Sequence, residues 1–598
     1  MRVVQGVPGF NSPGGEVDAR LSRGVQWEAV KNISSHLPAA LALGIASQIG
    51  QVVLMRELLM VFHGNELSIG IILSVWLAWV GLGSRLGARL SERSRRPEGI
   101  LAAAAACSAL ALPAGVLLIR VLRGFFPLPP GAYLSILDMV ISCLGVLAPV
   151  CLSYGLIFPC IARLWRERGG GLHGGGLHGG GRTYIAEAAG NFAGGLAFSL
   201  VLVRLLNPLA TALLASGLIS AAVYPLVRRA GSGRSRAVRP VLAALAALVL
   251  PLLPFVGRLD YGSQELLWRL LAPDHELQAV ARSRYGAIAV IERQGQYSVY
   301  QSGNFLFTTA GPDVGAQTDF EEQSALVLAH FSMVQHPEPR RVLLIGGGMS
   351  GTIREIIRHP VERVDYIELD PELTAAVRPF LAASTLAALK DDRVRMIHTD
   401  GRLFVRNAAE TYDLVLVDVP DPATAMLNRY YTEEFFRAAA ALLEPDGVLV
   451  MNLASGVDLR SSASANRNST IFHTMRTVFS QVLPAGERPL FFLAGQGSAA
   501  ISIDPSVLAA RLQERGVHSP GFTPRHFYAL LKDMQLRRMN WIVRNHGLDP
   551  ADRLYPPRGG PLIPPTIVEQ AAAELPAADR RWFINRDFAP IGYFYTLV

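Results

Sequence analysis

Four glycines, Gly346, Gly347, Gly348 and Gly351, follow directly on the apolar run Val342–Ile345. An apolar run of that length before a glycine cluster reads as a buried strand emptying into a tight turn. Glycines at that point let the backbone approach a ligand closely. The N-terminus of the helix expected over Thr352–His359 adds free N–H groups. A second strand, Val364–Ile367, ends in Glu368. It stands about 20 residues past the first glycine, the spacing at which an acid takes two ribose hydroxyls. A glycine cluster alone is often only a turn. Strand, turn, helix and terminal acid together describe a nucleoside site.

Three further acids share this pattern. VRMIHTDG (Val394–Gly401) is a strand running into Asp400 and Gly401, and YDLVLVDVPDP (Tyr412–Pro422) is a buried strand running into Asp418 and Asp421. GVLVMNL (Gly447–Leu453) is one more strand. Strands alternating with helical stretches predict a doubly wound, mainly parallel sheet, with ligands beyond the carboxyl ends of its strands. Acids at strand ends are commonly solvated or cap helices. Four of them on one rim beside a glycine turn point to a site.

The elements that carry this rim occupy only the second half of the chain. Of 598 residues, 50% are hydrophobic and 17% charged, with a mean hydropathy of +0.29. That is too apolar for an ordinary water-soluble protein of this size. The skew lies in the first 260 residues, where apolar stretches of spanning length recur at 37–62, 67–88, 99–119, 132–162, 184–206, 208–227 and 238–256. The last contains PLLP and is the weakest. Arginines cluster after the second, fourth and sixth stretches (Arg85–Arg96, Arg163–Arg182, Arg228–Arg239). By the positive-inside rule those loops and the N-terminus face the cytoplasm. This accounts for the net charge of +8 and pI near 9.4 without nucleic acid as a partner. A seventh span would put the C-terminal half outside, so 238–256 is expected not to cross.

Residues 1–30 lack the short apolar core of a cleaved signal peptide. The four cysteines, Cys107, Cys143, Cys151 and Cys160, all sit in apolar stretches without metal-ligand spacing, so neither metal nor disulfide is expected. GGGLHGGGLHGGG (Gly169–Gly181) reads as a flexible linker, His173 and His178 included. Arg56, Glu57, Glu66, Asp138 and Glu187 lie in or beside apolar stretches. Ionisable groups there either pair or line a polar pathway. The small residues of AEAAGNFAGGLAF (Ala186–Phe198) suit close helix packing.

From about 278 the pattern changes to AIAVIER, YSVYQSG and NFLFTT, which read as antiparallel strands. The expected organisation is a polar segment 1–36, a multi-pass α-helical membrane domain of six to seven helices over 37–260, a small antiparallel β-domain over 275–335, and an α/β Rossmann-like, methyltransferase-type domain over 336–598.

The segments Tyr285–Gly303, His336–Gly348, Arg354–Pro371, Asp391–Val405, Tyr412–Pro422 and Ile584–Tyr595 together resemble the spermidine/spermine synthase family, the polyamine aminopropyltransferases. GQVVLMRELLMVF and YIAEAAGNFAGG are similar to that family's membrane-fused bacterial branch. The resemblance implies transfer of an aminopropyl group from decarboxylated S-adenosylmethionine to a putrescine-like amine, without a metal. It implies Asp418 as the base, and Asp421 with Glu322 as the amine-binding acids. Glu368 would meet the ribose hydroxyls, Asp400 and Gly401 the adenine, and Gly346, Gly347 and Gly348 the rest of the nucleoside. It further implies a homodimer, a bilayer of the inner membrane as partner, and a cytoplasmic soluble domain.

The chain departs from the family in the amine half of the site. The family's GGGDGG is GGGMSG here, so Met349 replaces an acid and Ser350 a glycine. FEEQSALVLAHF (Phe320–Phe331) lacks the family's tyrosine, leaving Glu321, Glu322 or His330 as substitutes, and Val419 and Pro420 replace two serines. Two other readings stand beside the first. One is another adenosyl-cofactor enzyme, such as a methyltransferase using S-adenosylmethionine itself. The other is a catalytically inactive transporter or sensor with a nucleoside-binding module.

Overall fold

The long apolar stretches fold as helices. The computed structural model describes residues 15–62, 64, 66–126, 134–168, 179–228, 233–311, 320–422, 424–453, 462–487, 489–496 and 500–545. The linker histidines His173 and His178 and the Ile584–Tyr595 segment lie outside them. The chain divides into two units at Pro273/Asp274.

Among the described residues, six helices are long and apolar enough to cross a membrane: His36–Val61, Glu66–Arg93, Pro97–Phe125, Ile136–Glu167, Gly180–Leu205 and Pro208–Arg228. The stretch 238–256 lies inside a longer helix, Gly233–Leu271, interrupted by Pro240, Pro251 and Pro254, and is not among the six. Small residues set the closest approaches. A Cβ on Gly194 would lie 2.9 Å from the Ile45 backbone, so the first helix and the Gly179–Ala197 helix touch main chain to main chain. Glu57 finds its partner on another helix. Arg120, fully buried, donates from Nε to Glu57 Oε2 at 2.8 Å, from Nη2 to Asp260 Oδ1 at 2.8 Å and from Nη1 to Ser263 Oγ at 2.6 Å. Three helices are thereby joined through one guanidinium. Its charge in an apolar interior is tolerable only because both carboxylates face it.

The second unit opens with a four-stranded antiparallel sheet in the order β1-β2-β3-β4: β1 Glu276–Arg282, β2 Ala287–Arg293, β3 Gln296–Gln301 and β4 Asn304–Ala310. Its β2–β3 and β3–β4 hairpins turn on Gln294-Gly295 and Ser302-Gly303, all at positive φ, which matches the twist of the flanking strands.

A seven-stranded sheet follows, made of β5 Arg341–Ile345, β6 Arg363–Glu368, β7 Val394–His398, β8 Tyr412–Val417, β9 Leu443–Leu453, β10 Gln481–Ala485 and β11 Leu490–Gly495. The order is β10-β11-β9-β8-β5-β6-β7. The five strands from β9 to β7 pair in parallel, and β10 and β11 add on antiparallel. The central stretches Val342–Ile345 and Leu414–Val417 are apolar throughout because both faces are covered. Val342, Leu344, Leu414 and Leu416 enter the core on one face, and Leu343, Ile345, Val415 and Val417 enter the core on the other. The strand order reverses between β5 and β8, which opens a crevice at their carboxyl ends.

Beneath the glycine turn runs a buried polar chain. Arg515 Nη1 lies 3.3 Å from His359 Nδ1, His359 Nε2 lies 2.9 Å from His330 Nδ1, and His330 Nε2 lies 3.2 Å from Glu355 Oε2. Ser519 and Arg354 also donate to the Glu355 carboxylate. Burial raises the Glu355 carboxyl, but hydrogen bonds from His330, Ser519 and Arg354 outweigh it and bring it down to about 2. Burial, with the charges of His330 and Arg515, holds His359 well below its ordinary value. Both groups bind protons more readily in the unfolded chain, so acid destabilises the fold. The His359 contribution is lost as pH falls below about 6.5, and that of Glu355 as pH falls from about 4.5 to about 2. The urea midpoint of the second unit's transition is expected to drop progressively from pH 6.5 downward, and Glu355→Gln should flatten the lower part of that profile. A midpoint independent of pH between 6.5 and 3 would count against this chain of bonds.

Candidate active site

At the end of β5 the main chain turns sharply. Gly346 and Gly347 both adopt left-handed conformations, with φ of +73° and +68°. The Gly346 amide donates to Ile367 O at 3.0 Å, and the Asp418 amide donates to Ile345 O at 2.9 Å, which pins the turn between β6 and β8. A Cβ on Gly347 would collide with the Asp418 carboxylate, and one on Gly346 with the Asp418 carbonyl. A Cβ on Gly348 would sit 2.6 Å from the Tyr366 ring. The glycines are therefore fixed by the acid and the phenol beside them, as well as by the turn.

Tyr366 links the glycine turn to the ribose candidate. Its fully buried hydroxyl donates to Glu368 Oε2 at 2.9 Å, and the Asp370 amide donates to Glu368 Oε1 at 3.2 Å. Burial raises the Glu368 carboxyl despite these bonds. Asp418 is likewise raised by burial, opposed by the bond from Asn452 Nδ2 to its Oδ1 at 2.9 Å. Asn452 is the penultimate residue of β9, so the residue that steadies Asp418 comes from the neighbouring strand end.

Asp400 caps the helix Gly401–Asn407, accepting from the Arg402 amide at 2.9 Å and the Leu403 amide at 3.4 Å. The Gly401 amide donates to the Tyr430 hydroxyl at 3.2 Å, and a Cβ on Gly401 would be 2.8 Å from Ile345 Cγ2. A short way past the end of β8, Asp421 Oδ2 pairs with Arg467 Nη1 at 3.2 Å. Tyr431 donates to the carbonyls of Val419 at 3.2 Å and Pro420 at 3.0 Å.

The structure brings Gly346, Gly347, Gly348, Glu368 and Asp418 into direct or one-residue contact, with Asp400, Gly401 and Asp421 on the adjoining strand ends. Glu322 lies on the Phe320–Met333 helix, but its side chain is outside the described residues, as is that of Glu321. His330 does not substitute for an amine-site residue. It is fully buried in the polar chain with His359 and Glu355, because its helix turns it toward the core. Met349 is buried in the core on the same side of the sheet and presents no polar group. Sequence reasoning missed Asn452, Tyr366, Tyr430 and Arg467. A polar residue near the end of the apolar run Val448–Leu453 could have flagged Asn452.

The family model described as "Spermine/spermidine synthase domain" matches residues 321–484. Polyamine aminopropyltransferase 2 of Streptomyces coelicolor is 31% identical over 426 residues, covering 67% of this chain and 70% of that protein. The chain belongs to the spermine/spermidine synthase family. Polyamine aminopropyltransferase 2 of Hyperthermus butylicus is 34% identical over 188 residues, which are 31% of this chain and 60% of that relative's length. A solved spermidine synthase, in complex with the transition state analogue AdoDATO, matches with 20% identity and a TM-score of 0.38 over 45% of this chain and 88% of its own. A likeness at that level does not bear on function.

Gly347→Ala would force a β-carbon onto the Asp418 carboxylate at a strained φ. A loss of about 1–3 kcal/mol is expected in denaturant unfolding. A neutral substitution would show that the turn and Asp418 do not touch.

Proposed function

We propose that this chain is a membrane-anchored aminopropyltransferase that moves an aminopropyl group from decarboxylated S-adenosylmethionine to an amine. The carrying observation is the Asp418 carboxylate, held against Gly346 and Gly347 at the crevice between β5 and β8. The bare glycine turn suits a nucleoside lying flat against main chain. Glu368 is positioned for the ribose hydroxyls, with Asp400 and Gly401 next to the adenine. The sulfonium leaves readily, so the protein's share is placement and proton removal. An alkylammonium has a pKa near ~10 and is no nucleophile until it loses a proton. Asp418 accepts that proton as the amine nitrogen attacks the aminopropyl carbon. The carbon–sulfur bond breaks, and its electrons leave with methylthioadenosine. A carboxyl raised by burial is a better base for this than an exposed one.

Membrane anchoring rests on the six long apolar helices and on the arginine-rich loops between them. An even number of spans returns the second unit to the side of those loops. The chain is then a multi-pass protein of the inner membrane with its soluble unit in the cytoplasm, where the donor is made.

Met349 favours a second reading, in which the donor is S-adenosylmethionine itself, since the acid that would hold a cationic aminopropyl arm is missing. Comparing the two donors decides between them, and preference for the carboxylated form would overturn aminopropyl transfer. With the decarboxylated donor, Asp418→Asn is expected to lower kcat about 100- to 10,000-fold, read as methylthioadenosine release, with donor affinity little changed. Asn452→Leu removes the N–H that favours the ionised carboxylate, so the acidic limb of the kcat profile should move to higher pH. An unmoved limb would mean that Asp418 is not the titrating base.

A further inference from the structure

The amine half of the rim carries a cation of its own. Arg467, on the Ser462–Arg476 helix, gives Nη1 to Asp421 Oδ2 and keeps both Nε and Nη2 buried without a hydrogen-bond partner among the described residues. Nε and Nη2 form one edge of the guanidinium. That edge grips a carboxylate side-on through two parallel N–H···O bonds, and nothing else in the side-chain repertoire matches its geometry. Two buried donors left bare are costly in a site with no ligand to meet them.

The surroundings do not favour a second ammonium. Asp421 is paired with Arg467 through Oδ2, and the Val419 and Pro420 carbonyls already accept from Tyr431; Asp421 Oδ1 is the one acceptor of the pair left without a partner among the described residues, against two donors on Arg467. Met349 offers no charge. A plain diamine whose reacting nitrogen faces Asp418 would bring its distal ammonium up to a guanidinium. An amine with a carboxylate at its far end would meet the bare edge instead.

We propose that the acceptor is an amine bearing a carboxylate, an ω-amino acid in kind, and that Arg467 is the residue that selects it. This rests on the aminopropyltransferase reading and narrows its acceptor. The transfer itself is unchanged. The amine nitrogen forms a bond to the aminopropyl carbon, the carbon–sulfur bond breaks, methylthioadenosine departs with the electron pair, and Asp418 takes the proton. Arg467 only positions the acceptor.

The test uses purified full-length protein saturated with methylthioadenosine. Affinities for 4-aminobutyrate and putrescine, which share a four-carbon spacing, are measured by calorimetry. Wild type is expected to bind 4-aminobutyrate at least 10-fold more tightly. Arg467→Gln should bring that ratio to 1 or below, and Arg467→Lys should restore part of it. Tighter binding of putrescine by wild type, no binding of either, or a ratio unchanged in Arg467→Gln would overturn the inference. The wild-type comparison stands even if Arg467→Gln does not fold. Methylthioadenosine release with the decarboxylated donor is scored separately. Selective binding without release leaves the inference standing and sinks the transferase reading, and release with putrescine favoured does the reverse.

Discussion

The rim is built around how closely two strand ends approach each other. Where β5 turns and β8 stops, the main chain of Gly346 and Gly347 lies directly against Asp418, with no room for a β-carbon between them. That approach makes the turn left-handed, exposes backbone on the ligand side and leaves the carboxylate half-buried. It depends in turn on the parallel pairing of β5 with β8 and β6, whose alternate side chains are gripped by two separate cores. A shift of one residue in either strand would exchange those faces and dissolve the turn.

The two halves of the rim differ electrostatically. At two strand ends, half-buried acids receive neutral hydrogen bonds: Glu368 from Tyr366 and the Asp370 amide, Asp418 from Asn452. Such acids keep raised proton affinity and remain available to a ligand. On the other side Asp421 is held by a full positive charge. The same residue type thus meets a neutral amide at one strand end and a guanidinium from a distant helix just past it.

What could be read from sequence follows from the same physics. Val342–Ile345, Val364–Ile367 and Tyr412–Val417 are mostly apolar because both faces of a parallel strand are covered, so the strands, their parallel pairing and the acids at their ends were legible. AIAVIER and its neighbours alternate clearly enough to show three strands of the small sheet. β1, with its irregular register around Leu277 and Ala279, was not seen. The antiparallel edge, β10 and β11, carries no motif and went unread. Arg467 and Arg120 were invisible for a shared reason. Each gains its meaning from carboxylates far off in the chain, and an arginine on a helix looks like any other until its partners are placed. His330 was offered as a substitute because it falls in the stretch that resembles the family's amine-binding segment, whereas its helix faces it into the core.

The Arg120 junction sets an order on how the first unit can be assembled. Asp260 lies 140 residues beyond Arg120, whereas Glu57 precedes it by 63. During synthesis the guanidinium can meet Glu57 as soon as the third helix is made, but its second carboxylate arrives only after all six long apolar helices. Until then the unit holds an ion pair with one side open, so its last helix acts as a latch that completes the bundle rather than as one more member of it.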